Sequence, residues 1–446
     1  MKSLLYAMFG VLTTGAAFIS STASAALNDS LSPVGAILAA NEDGTIPRWT
    51  GGITKIPEGY TPGKQHPDPF ADDKIITVIS QRNLDQYKHM LSEGTIALFV
   101  NNANYNINVY PSRRSVSLPE RIYESSIKNA STAELTYRGH GVSGVTAGIP
   151  FPVPQNGQEA IWNHTMRYRG EALNYTGNRT IVQPDGSYTL ARLERTLLFN
   201  YGVEGIASET LGNTLFFYKH KILAPVRNTG TALLVKETID QITSPRKAWQ
   251  YTPGQRKVRR LPKLAYDDVM PDTGGMLTAD TVDMFNGSLD RYDWELQGRK
   301  EFYVPYNSYK LHSGDVRYDD ILKPKSLNPD LLRFEPHRVW VVDATLRTGL
   351  QHPYAKRRFY IDEDSWQILM VDIYDEAGKL IKYQEAHPIN YYEIPLFTST
   401  AEVIYDLNHG RYFVDGLNNQ EDEYNFNPQV KKRDFTASAL RREGRR

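Results

Sequence analysis

The sequence predicts an α+β fold that is mainly antiparallel β, a curved sheet whose concave side is roofed by helices. Three observations lead there. Residues 357–384, RRFYIDEDSWQILMVDIYDEAGKLIKYQ, read as three strands and two turns in succession. Hairpin signals recur around Pro184-Asp185-Gly186 and Pro253-Gly254. The chain lacks the regular alternation of strand and helix that builds a parallel sheet. Within 357–384 the middle strand, Trp366 to Tyr374, puts Trp366, Ile368 and Met370 on one face and Leu369, Val371 and Ile373 on the other. Successive strand side chains point to opposite faces, so this strand is expected to be covered twice.

In chain order, residues 1–25 have the form of a secretory signal peptide: Lys2, the apolar run LLYAMFGVLTTGAAFI and the small-residue site Ala23-Ser24-Ala25. The mature chain is then expected to begin at Ala26 and to reside in a bacterial periplasm. No cysteine is present, which removes a lipid anchor, disulfides, thiolate zinc sites and cysteine nucleophiles together. Residues 26–130 are expected to form an extended and helical segment wrapped on the body, anchored by Trp49, Tyr60 and Phe70. Helices are predicted in LDQYKHML after Asn83 and in PERIYESSIKNA from Pro119. Residues 131–400 are expected to hold the β domain with two inserted helices, and 401–446 a C-terminal extension. The first insertion is NGQEAIWNHTMRYRG, with Asn156 and Glu159 at capping-box spacing and Gly170 as its stop; the second is TADTVDMFNG, closed by Gly287.

Charge excludes one class of function. With 51 basic and 51 acidic residues, nothing electrostatic draws the chain to nucleic acid, and beyond the leader no apolar run is long enough to span a membrane. GHGVSG, residues 139–144, matches a dinucleotide loop in spelling, but Pro150, Pro152 and Pro154 prevent the long helix such a loop must open. HPDPFADD gathers His66, Asp68, Asp72 and Asp73 in a stretch stiffened by Pro67 and Pro69, and reads as a solvated turn, not a calcium loop. Asp362, Glu363 and Asp364 sit in a predicted turn, where carboxylates serve backbone hydrogen bonding and solubility. No nucleophile elbow and no histidine pair at ligand spacing occurs, so no catalytic residue, metal or cofactor is expected.

The large apolar side chains are the most informative set. Trp162 and Met166 stand one helical turn apart, Trp249 and Tyr251 share a strand face, and Trp340 precedes Val342 by two positions. With Trp366, Ile368 and Met370 they are the candidates to line an apolar cavity beneath the helices. Arg259 and Arg260 are candidates for a headgroup contact, or else guard a sheet edge against aggregation.

Several blocks resemble a proteobacterial exported family, the domain of unknown function 1329: NEDGTIPRWTGG, HPDPFADDK, YPSRRS, GIPFPVPQNGQEAIWNH, PRKAWQYTPGQRKVRRLP, DMFNGSLDRYDW, RRFYIDEDSWQI and LNNQED. The resemblance covers essentially the whole mature chain. It implies a fold like the outer-membrane lipoprotein-sorting carriers LolA and LolB, a half-open β-barrel with a helical lid over an acyl-chain cavity. It also implies company with resistance-nodulation-division type exporters, and it carries no catalytic residues. The expected function is therefore non-enzymatic carriage of a lipid or other hydrophobic molecule. Two alternatives remain at this level, a ligand-free accessory subunit of an export system and a glycan-binding protein using its 28 tyrosines and 6 tryptophans.

Overall fold

The computed structural model describes residues 27, 29–206, 208–261 and 267–444; the expected signal peptide lies outside them. Seventeen strands run β1 (Thr77–Ile79), β2 (Ile107–Val109), β3 (Glu134–Thr136), β4 (Gly141–Ser143), β5 (Ala172–Val182), β6 (Ala191–Phe199), β7 (Thr214–Ala224), β8 (Ala232–Thr238), β9 (Lys247–Thr252), β10 (Lys257–Arg260), β11 (Tyr292–Pro305), β12 (Phe334–Leu346), β13 (Lys356–Asp362), β14 (Ile368–Tyr374), β15 (Leu380–Tyr391), β16 (Leu396–Asp406) and β17 (Arg411–Leu417). Fifteen form one curved sheet in the order β1-β2-β12-β13-β14-β15-β16-β17-β5-β6-β7-β8-β9-β10, with β11 also on β12. Every pairing in it is antiparallel except a single parallel contact of Phe334 with Val109. Among the described residues no ladder joins β10 to the far edge, so the sheet stays open.

The four expected reversals, at 184–186, 253–254, 362–364 and 376–378, each join antiparallel neighbours. Gly186 and Gly378 take φ of +88° and +75° there, which glycine adopts without a Cβ penalty. The sheet does not stop near residue 400. β16 and β17 lie at its centre and join β15 to β5, so the expected boundary at 400 cuts through β16.

β14 is buried at all seven positions, as double coverage requires. The facing differs in detail. Trp366 precedes the strand, in a tight turn at φ +62°. Register shifts between Tyr360 and Ile361, leaving Leu369 as the extra residue of a bulge. Ile368 therefore joins Val371 and Ile373 on the inner core, while Leu369 and Met370 face the outer one. Strict alternation could not foresee that insertion.

Asp362, Glu363 and Asp364 form the turn but are not solvated; each is at most 2% exposed. Arg114 donates to both oxygens of Asp364 at 2.9 and 2.6 Å and to Glu363 at 3.2 Å. Arg299 and Arg338 approach Glu363 at 3.2 and 3.4 Å. These cations come from the N-terminal arm and from β11 and β12, far away in sequence.

Helices are few. α1 (Glu93–Asn101) is capped by Ser92, α2 (Glu120–Thr132) follows Pro119, α3 (Gly157–Met166) is capped by Asn156, and α4 (Ala437–Glu443) is capped by Thr436; the rest are single turns. α3 ends before Gly170 because Arg167 turns extended at ψ 151°. Residues 278–287 are not the expected helix. Asp283 and Met284 take positive φ, and Asp280 is drawn into a buried ion pair with Arg357, so the segment folds as turns. Trp49 packs edge-on against Tyr123 and Tyr60 stacks on His66, both within the N-terminal segment, while Tyr60 also meets Tyr392, and Phe70 lies beneath Arg113 and Arg333.

Candidate functional site

Strand alternation and register build the site. On the concave face, Leu173, Leu197, Tyr218 and Val235 lie directly opposite one another across β5 to β8. The next row is Tyr175, Arg195, His220 and Leu233, and Phe199 faces Phe216 on the other side. These rows floor a cavity of about 200 Å³. Its roof is the 270–286 segment, through Met270, Leu277, Ala279 and Val282, together with Tyr424 and Phe426 from the chain beyond β17. Backbone bonds between Asn174 and Asn425, at 2.8 and 2.9 Å, hold that last stretch in place.

The roof is fixed by charge. Asp283 accepts from Arg167 at 3.1 Å and from Arg169 at 2.5 Å, both just beyond α3. Burial would raise the Asp283 carboxyl, but the two guanidiniums hold it down to about 2. Arg246 donates to Glu237 at 2.6 Å and to the carbonyl of Asn286, tying β9 to the roof.

The cavity wall carries further charges. Arg195 pairs with Asp415, and its guanidinium lies where a Cβ on Gly177 would stand at 2.9 Å, so the glycine makes room for it. Asp415 is aimed inward by a bulge at Gly416, whose φ is +93°. Glu402 has no hydrogen-bond or ion-pair partner among the described residues. Burial, with Asp283 and Asp415 nearby, pushes its carboxyl up to about 8, so it is protonated at neutral pH. Burial beside Arg179 and Arg195 drives His220 well below its ordinary range and keeps it uncharged. Arg179 is 7% exposed with an unbonded buried Nε, and is the wall cation without a carboxylate partner.

None of the eight apolar candidates from the sequence lies on this wall. Trp162 and Met166 are buried on the inner face of α3, where Trp162 Nε1 donates to Gly139 O at 3.0 Å. Trp249 and Tyr251 do share a face, but the outer one, beneath α4 with Phe435 and Leu440. Trp340 and Trp366 stack with ring centroids 6.0 Å apart, and Trp366 Nε1 donates to Val34 O at 2.9 Å. Ile368 and Met370 fill the inner and outer cores. Arg259 and Arg260 are exposed on β10 at the end of the sheet, which among the described residues pairs only with β9. The residues that do line the cavity were hidden because their strand faces mix apolar and charged types: Arg195, Leu197 and Phe199 spell a half-wet face.

Comparison with known proteins adds the family. A model described as a protein of unknown function, DUF1329, matches residues 78–441. The uncharacterized protein PA3922 of Pseudomonas aeruginosa is 41% identical over 430 residues, which is 96% of this chain and 94% of that one. A crystal structure of a DUF1329 family protein from Desulfovibrio piger is similar over 61% of this chain and 92% of its own, at 14% identity and a TM-score of 0.42. A LolA superfamily protein from Nitrosomonas europaea is similar over 64% of this chain and 98% of its own, at 14% identity and a TM-score of 0.38.

Proposed function

The chain belongs to the DUF1329 family, and from that premise we propose that it is a carrier, binding a slender hydrophobic molecule with an acidic end and performing no covalent chemistry on it. One observation carries this reading: three rows of mainly apolar side chains in register face an open volume, and among the described residues Arg179 is the wall cation that makes no ion pair, the Asp415 opposite it being taken by Arg195. Phe, Leu and Tyr faces favour an apolar body at roughly 25 cal/mol per Å² buried. A buried guanidinium favours an anion as its partner. The protonated Glu402 adds no opposing charge at neutral pH.

Size narrows the cargo. A volume of about 200 Å³ is below the roughly 300–1,000 Å³ of ordinary ligand clefts, so it suits one acyl chain or a flat ring system better than a two-chain lipid. The leader-like residues 1–25 support a periplasmic location, and the family resemblance supports an exporter of the resistance-nodulation-division type as the partner in hand-over.

Titration with a dansyl-labelled medium-chain fatty acid and with the matching alcohol tests the proposal. The acid should bind more tightly, Leu197→Trp should fill the cavity and weaken both by about tenfold or more, and Arg179→Met should abolish the preference for the acid, about tenfold for a charge-assisted bond. Absence of binding by either probe, or unchanged binding by folded Leu197→Trp, would overturn it.

A further inference from the structure

We propose that His66, His312 and Glu423 bind a divalent first-row metal ion, zinc in the first instance, that clasps the N-terminal arm to the C-terminal segment. The three come from the arm, from the one-turn helix Tyr309–His312, and from the chain beyond β17. His66 Nδ1 and His312 Nε2 stand 3.7 and 3.6 Å from the same oxygen, Glu423 Oε2, and all three donor atoms lie within 4.8 Å of one another.

Both nitrogens, and both oxygens of Glu423, are buried and without a hydrogen bond. The far side of each imidazole is engaged, which leaves the near nitrogen of each facing Glu423. His66 Nε2 is 2.7 Å from Glu393, a carboxylate that can only accept, so Nε2 carries a hydrogen; against the pull of burial, Glu393 and Glu423 also favour a proton on Nδ1, which a metal displaces when it binds. His312 Nδ1 is engaged by the Thr400 hydroxyl at 2.7 Å, and when that hydroxyl gives its hydrogen to Asn418, 3.3 Å away, the lone pair lies on Nε2. Two ring nitrogens and a carboxylate therefore point at one spot.

The spacing of such a set suits a metal ion better than a shared proton. A shared proton would draw nitrogen and oxygen to about 2.7–2.9 Å. Donors held at about 2.0–2.2 Å from one zinc ion stand roughly 3.3–3.6 Å apart in a tetrahedron, which is close to the spacing here. Glu393 and Thr400 supply the outer hydrogen bonds that orient metal-binding imidazoles. Tyr60 stacks on His66 at 5.2 Å, and Tyr391 and Tyr392 pack against it edge-on at 4.9 and 5.1 Å. A doubly charged ion balances the carboxylates of Glu423 and Glu393 in that enclosure. The second group of this kind, His337, Asp362 and Asp364, is largely engaged from within: His337 Nε2 lies 3.0 Å from Glu335, Asp362 Oδ2 accepts from Ser365, and Arg114 holds Asp364, which leaves Asp362 Oδ1 unbonded.

The residue after Glu423 is Tyr424, which roofs the cavity. The clasp thus fixes a cavity wall, although the metal site stands whether or not the carrier reading does.

The test uses the purified full chain, stripped with a chelator, then titrated with zinc chloride calorimetrically and counted by mass spectrometry, with cobalt(II) as a spectroscopic substitute. One ion per chain should bind with Kd below about 1 µM and raise the melting temperature. Glu423→Gln keeps the side-chain shape and should weaken binding by about 100-fold and abolish the thermal shift. Cobalt(II) in the unmutated chain should give the absorption of a site with two imidazoles and an oxygen donor, so the proposal stays testable if the variant fails to fold. Lack of stoichiometric binding of zinc or cobalt by the unmutated chain, or equal affinity in folded Glu423→Gln, would overturn it.

Discussion

Two stretches of the same sheet, β12–β14 and β5–β8, are built from similar strands and end in opposite states. Over β12–β14 the inner face is filled: Trp340 and Trp366 stack, α3 brings Trp162, and Phe285 and Phe359 meet edge to face at 5.6 Å. Over β5–β8 the inner face is roofed but not filled: Asp283 and Asn286 tie one end of the 270–286 segment to Arg169 and Arg246, Leu277 joins the inner core, and a cavity of about 200 Å³ stays open between roof and strands. The outer faces are alike in being covered, by α1 and its neighbours in one case and by α4 in the other. What distinguishes a core from a site in this molecule is therefore how completely the cover reaches the strands: stacked aromatic rings close the space over β12–β14, whereas the roof over β5–β8 stands off from them.

The largest effect expected from this difference is at Trp366. Its ring is fully buried and its Nε1 is bonded to Val34 O, so Trp366→Ala should cost about 3–5 kcal/mol in denaturant unfolding. Trp162→Ala should cost a similar amount, since that side chain is 3% exposed and bonded to Gly139. A loss near 1 kcal/mol at Trp162, with weakened probe binding, would make α3 a lid over the cargo instead.

Legibility in the sequence follows the same division. The hairpin turns were readable because proline, glycine and aspartate act locally, within the turn they make. Double coverage of β14 was readable because apolar residues on both faces need two partners. The buried turn 362–364 was not, since its neutralising arginines, 114, 299 and 338, arrive from remote strands and segments. Nor was the cavity: tryptophan marks where space is filled, whereas an open space is lined by ordinary leucine and phenylalanine beside charges that pair only across the fold. His66 was legible as a residue type, but its partners at 312 and 423 belong to segments that no local pattern connects.

The next effect in size is a pH slope carried by the hollow half. Glu402 keeps its proton in the folded chain up to about 8, while in the unfolded chain it loses it near the ordinary 4.5. Between those values the folded state binds more protons, so this group makes stability fall as pH rises. Replacing it by Glu402→Gln should remove that part of the slope, and the variant should gain on the order of 1–2 kcal/mol over the unmutated chain between pH 5 and pH 9, allowing for solvent at the cavity mouth. Parallel unfolding curves for the two proteins at both pH values would mean that Glu402 is already ionised and compensated.

A smaller difference separates two leucines. Leu369 fills the outer core and is fully buried, and Leu233 faces the cavity at 8% exposure. Leu369→Ala should cost about 2–5 kcal/mol, whereas Leu233→Ala enlarges a space already present and should cost about 1 kcal/mol. Calorimetric melting of both variants checks this, and equal losses would mean that the two halves of the sheet are packed alike.

The smallest effect is expected at Arg259 and Arg260, and it bears on where cargo enters. Both side chains are exposed on β10, which ends the sheet and among the described residues pairs with β9 alone. Neither lines the cavity, so charge removal there acts through solvent, where isolated surface charges contribute little. The double variant Arg259→Ala with Arg260→Ala should shift stability by less than about 0.5 kcal/mol and leave fatty-acid binding within about twofold. An open edge presents unpaired backbone groups, and charged side chains on it discourage pairing with a second chain. Light scattering during heating should therefore rise earlier in the double variant even though its melting temperature is unchanged. If fatty-acid binding fell about tenfold instead, the two arginines would lie on the cargo's path, and β10 would be the entrance to the cavity and not merely a guarded edge.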